Sequence, residues 1–144
     1  MRFHRSALVA LACSLFALGA RATVIEVEGP QDSLEGAPTI NHCTLRKAII
    51  NANTDTAAYP QCAAGSGLDT IVFLSPMTIS LTRAGIMEDD ALTGDLDITE
   101  SVIITGHDGG TTIDGAALDR IFHVNPHGAA GITVTLNKDR KSVV

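Results

Sequence analysis

Apolar residues recur along this chain at two spacings. Short runs of three to five residues make up most of it: Thr23–Val27, Thr70–Phe73, Thr78–Leu81, Leu96–Ile98, Val102–Thr105, Thr112–Asp114, Ile121–Val124 and Ile132–Leu136. They are rich in Ile, Val and Thr and bounded by Gly, Pro, Asp or Asn, which predicts short strands. One stretch has a different period. Leu45, Ala48, Ile49 and Ala52 fall at i, i+3, i+4 and i+7, one face of a helix. Thr44 stands at the N-cap, and Asn53, tolerant of the left-handed conformation, is the expected stop. A helix of about two to three turns does not hold alone in water, so its apolar face must dock on something. Around it, residues 28–42 carry Gly29, Pro30, Gly36 and Pro38, and residues 54–67 carry Pro60 and Gly65; both read as irregular loops. Strands this short fit a sandwich or a stacked coil, and no clean internal repeat decides between them.

The first 22 residues stand apart. Met1–Arg5 is basic, Ala7–Ala20 is apolar and Ala20-Arg21-Ala22 is a small-x-small cleavage site, so residues 1–22 are expected to be a signal peptide cut after Ala22. The apolar run is short for a membrane span, and a lipoprotein signal at Cys13 is disfavoured by Ala10 and by the apolar residues that continue past the cysteine. No other segment is apolar enough to cross a membrane. The chain as given has a net charge of −6; losing Arg2, Arg5 and Arg21 leaves seven basic against 16 acidic side chains, a net −9. Without a basic patch, nucleic acid and anionic lipid are excluded as expected partners. The reading is an exported protein, secreted or held at the cell surface. Of the three cysteines Cys13 leaves with the signal, and Cys43 and Cys62 remain, which in an exported chain predicts one disulfide.

Cys43-Thr44-Leu45-Arg46-Lys47-Ala48, continued by Ile49-Ile50-Asn51-Ala52-Asn53, resembles the Cys-Ser-Leu-Arg-Glu-Ala motif of the CSLREA-domain family. The resemblance continues through Gly67–Phe73, Leu92–Ile98, Thr112–Gly115 and Asp119–Val124, in order, over most of residues 23–137. It implies an exported, mostly bacterial protein of the pectin-lyase-like kind. The expected fold is therefore all-β, a right-handed parallel β-helix of about three coils with an N-terminal capping α-helix. Residues 23–66 would hold the first strand, the capping helix and the disulfide loop, and residues 67–138 the coils, truncated at their C-terminal end. The family's Glu, which completes a capping box, is replaced by Lys47; the expected cost is about 0.3–1 kcal/mol. Asp139–Val144 breaks the strand-and-glycine pattern and resembles the translation of a sequencing-adapter read, so residues 139–144 are expected to be a non-native tail.

Candidate chemistry is sparse. The acids Glu88, Asp89, Asp90, Asp95 and Asp97 invite comparison with carboxylate-rich polysaccharide enzymes, and Asp95 and Asp97, two apart, would share a strand face suited to calcium. Nothing in their spacing fixes a pair at glycosidase separation, and no Lys or Arg accompanies them as a lyase base in the nearby motif. Trp is absent and Tyr59 is the single tyrosine, which speaks against aromatic sugar platforms. His123 and His127 are four apart, but Pro126 and Gly128 deny them a helical face, and His123 is expected to point outward opposite Phe122. Neither a metal, a cofactor nor a catalytic set is expected; the site residues are the disulfide pair Cys43 and Cys62. The leading function is a non-enzymatic surface or secreted scaffold, adhesin-like or structural, with a polysaccharide or host surface as a candidate ligand. The alternative is the N-terminal part of a polysaccharide lyase or glycoside hydrolase.

Overall fold

The computed structural model describes residues 21–138 and 140–142. Residues 1–20 of the expected signal peptide, and Asp139, Val143 and Val144 of the expected tail, lie outside the described residues.

The chain runs β1 (Val24–Val27), α1 (Leu45–Thr54), β2 (Asp69–Phe73), β3 (Met77–Ser80), β4 (Leu96–Ile98), β5 (Val102–Thr105), β6 (Thr111–Asp114), β7 (Phe122–Val124), β8 (Val134–Asn137) and β9 (Arg140–Ser142). Among the described residues all strand pairs are parallel, in sheets of four strands (β1-β2-β5-β8), three (β3-β6-β9) and two (β4-β7). The strands are where the apolar runs predicted them. β2 alternates buried and half-buried residues, as a strand with one face on a core must. The parallel register then lines Ile25, Ile71, Ile104 and Leu136 up across the large sheet and sets Ile79 beside Ile113 in the second. Together with the helix, these residues make one apolar core.

The fold expectation needs correction. The strands lie in small separate sheets of unequal size and do not wind into a closed or coiled solenoid; with α1 among them the arrangement is a small mixed α/β one, not an all-β parallel β-helix. The physical reason lies in the helix and the long connection between β3 and β4. α1 packs against β1, β2 and β4, and every residue from Leu45 to Ala52 is buried, the charged Arg46 and Lys47 included. It is enclosed on all sides instead of resting on one apolar face as a cover. β9 (Arg140–Ser142) pairs with β6, a strand that the sequence pattern did not suggest.

Helix signals behaved unevenly. Thr44 is the N-cap and its hydroxyl accepts from the Lys47 N–H at 3.5 Å while donating to the Ser33 carbonyl at 2.7 Å. The stop is Asp55 in the left-handed conformation, two residues beyond Asn53. The Cys43–Cys62 disulfide is present, tying the start of α1 to the loop that follows it. That loop lies flat on the helix: a Cβ at Gly65 would come within 2.2 Å of the Asn51 carbonyl oxygen, so only glycine fits.

Candidate functional site

Two polar constellations are built on this frame. The first is centred on Arg46. Its Nε and Nη2 donate to the two oxygens of Asp32 at 2.5 and 3.2 Å, Nη1 donates to the carbonyls of Ala91 and Asp95, and Nη2 also donates to that of Gly94. All five guanidinium N–H groups are thus used, with the side chain fully buried. Asp32 in turn accepts from the backbone N–H groups of Thr82 and Arg83. Burial alone would raise the Asp32 carboxyl, but Arg46 and these two N–H groups outweigh it and hold the pKa below its ordinary value.

Lys47 and two asparagines complete this network. The Lys47 ammonium donates to the carbonyls of Ile40 and His42 at 3.3 and 3.2 Å, and its pKa is lowered by burial, against the pull of Glu35. So the residue that breaks the capping box clamps the preceding loop. Asn51 donates to the carbonyls of Tyr59 and Ala63 and accepts from the Tyr59 N–H. Asn53 donates to the Asp97 carbonyl and accepts from the Thr99 N–H, stapling the helix to the end of β4.

The second constellation gathers the acids. Parallel register places Asp97 of β4 beside His123 of β7, and the loop before β4 brings Asp89 to the same point. His123 Nδ1 lies 3.1 Å from Asp97 Oδ1 and 3.4 Å from Asp89 Oδ1. Expected to point outward, His123 is partly exposed but has its ring nitrogen on these two carboxylates. Asp97 is fully buried, and its Oδ2 accepts from the Ala91 N–H at 2.9 Å. Burial raises its pKa; the Ala91 N–H opposes this, the charges of Asp95 and Glu88 add to it, and His123 acts against it.

The remaining acids have separate partners. Asp95 Oδ2 is 2.9 Å from Arg120 Nε, an ion pair in which no N–H is directed at the oxygen. The sequence did not connect Arg120 with Asp95, because only the packing of the β6–β7 connection brings them together. Glu88 accepts from the backbone N–H groups of Asp90, Leu92 and Thr93 at 2.6, 2.9 and 2.9 Å, shaping its own loop. Asp90 is exposed, 3.7 Å from His127 Nε2.

Elsewhere an open groove of about 800 Å³ is lined by Met77, Thr78, His107, Thr112 and Lys138 among others. Asp108 and Lys138 pair at its edge. The acid–histidine cluster is not part of this groove, whose titratable lining is His107, Asp108 and Lys138. Among the described residues no helix is long and apolar enough to cross a membrane. No family model matches the chain, and neither the curated proteins nor the solved structures contain a match.

Proposed function

We propose that the chain is an exported, non-enzymatic scaffold, adhesin-like or structural, secreted or held at the cell surface and of the CSLREA-domain kind. The observation that carries this reading is how the carboxylates are spent. Asp32 holds Arg46 and two backbone N–H groups; Asp69 accepts from the N–H groups of Thr23 and Ser66; Glu88 holds three N–H groups of its own loop. Hydrolysis of a glycosidic bond needs an acid and a base facing each other across the sugar, about 5–9.5 Å apart with both free to exchange protons. Here Asp32, Asp69 and Glu88 act as braces, which suits a rigid body and not a cleft. The disulfide supports export, since such bonds persist in oxidising compartments.

The test is to incubate the secreted, oxidised protein with pectate, alginate and neutral polysaccharides. Unsaturated products and new reducing ends would be followed alongside retention of the protein on immobilised glycans and on cells. Retention without turnover is the expected result. Turnover that is lost in Asp97→Asn would overturn the scaffold reading and favour a polysaccharide lyase or hydrolase.

A further inference from the structure

We propose that Asp89, Asp97 and His123 bind one divalent cation of the zinc class, tying the loop before β4 to both strands of the two-stranded sheet. The inference does not rest on the scaffold reading.

The argument starts from the atoms that meet. One ligand atom from each residue lies within 4.8 Å of the other two, and His123 Nδ1 is 3.1 and 3.4 Å from the two carboxylate oxygens. His123 Nδ1 is in hydrogen-bond contact with Asp97 Oδ1 and donates there when it carries the ring proton; with that proton on Nε2, three acceptors converge. Either a proton on Nδ1 or a cation must sit there. Donors about 2.0–2.2 Å from a tetrahedral zinc stand roughly 3.3–3.6 Å apart, close to both distances from the ring nitrogen. The remaining adjustment falls on Asp89, whose side chain is half exposed on a loop.

Charge favours a metal over a lone proton. Asp97 is fully buried, and Asp95, whose side chain is only 6% exposed, has an oxygen at which no N–H is directed. Arg120, the cation paired with Asp95, is 55% exposed and also pairs with Asp119. Asp89, Asp95 and Asp97 carry three carboxylate charges against the one guanidinium of Arg120, a surplus of two that a divalent ion would balance and a single proton would not.

The donor set also chooses the ion. Calcium takes six to eight oxygens, whereas Glu88 is occupied by backbone N–H groups and Asp95 faces Arg120. One imidazole nitrogen with two carboxylates suits zinc, with solvent completing the shell. In that state His123 is neutral, bound through Nδ1, and carries its proton on Nε2.

The test uses the full secreted chain, stripped of metal and titrated with zinc by calorimetry. Cobalt serves as a spectroscopic substitute, since its visible bands report coordination geometry. One equivalent of zinc is expected to bind and raise the melting temperature, with calcium giving no shift. Losing a direct ligand should cost at least as much as the 10–100-fold typical of outer partners, so Asp89→Asn and His123→Gln are each expected to weaken binding roughly 100-fold. His107→Gln, in the distant groove, should leave it unchanged. Asp89 is exposed enough that Asp89→Asn will fold, so that variant decides the matter if His123→Gln does not. No uptake of zinc or cobalt, or uptake that persists undiminished in Asp89→Asn, overturns the proposal and leaves the hydrogen bond between His123 Nδ1 and Asp97 Oδ1 as what joins the cluster.

Discussion

Arg46 is the residue on which most of the interior depends. Removing one partner of a buried ion pair leaves the other charge without compensation, at a cost of about 3–5 kcal/mol. Arg46→Met, which keeps much of the volume, strands the Asp32 carboxylate and three carbonyls. A loss of about that size is expected in urea unfolding. The same pair sets an acid limit. Asp32 titrates below its ordinary value near 3.8 when folded. Its contribution is therefore fully present above that value and is lost as pH falls through the depressed folded pKa. Melting temperature measured against pH should decline below about pH 4, and Asp32→Asn should be less stable at neutral pH with a shallower acid decline. None of this was legible in the sequence. Arg46 lies off the Leu45–Ala48–Ile49–Ala52 stripe, where a charged side chain is ordinarily solvated, and its partners are 14 to 49 residues away.

At the scale of the element, α1 is held less by its apolar stripe than by what wraps around it. The sequence marked its start, because Thr44 capping is local chemistry, and it marked the cysteine pair, because with Cys13 set aside in the expected signal peptide two thiols are left with each other as partners. It missed the true stop at Asp55 and the buried polar face. Asn51 and Asn53 are ordinary helix-end residues until the chain folds back to Tyr59, Ala63 and Asp97. The disulfide closes a separation of 19 residues, worth roughly 3 kcal/mol in the chain-entropy model. The double variant Cys43→Ser/Cys62→Ser is expected to lose about that much stability. Reduction of the native protein should cost a similar amount of stability, read as a lower denaturation midpoint, while leaving the double variant unaffected.

For the molecule as a whole, strand positions were legible and their assembly was not. Alternation of apolar and polar residues is a property of neighbouring positions, and each run from Thr70–Phe73 to Ile121–Val124 became a strand within a residue or two. Which sheet a strand joins depends on parallel pairing across long connections, about which alternation says nothing. The resemblance supplied an answer, a continuous coil, and the separation into sheets of four, three and two strands corrected it. The acidic cluster followed the same rule. Asp89 and Asp97 were recognisable as acids, but His123 joins them only through the pairing of β4 with β7.

The Arg46 network has a consequence for the order in which this protein can be completed. Its partners are Asp32, which precedes the helix in the chain, and Ala91, Gly94 and Asp95, which follow well after it. In a chain that emerges N-terminus first, both cysteines are out before residue 91 appears. Covalent closure of the helix loop can therefore run ahead of the burial of its guanidinium, and a nascent chain passes through an interval in which it is already cross-linked but still carries an open, water-facing charge at its centre.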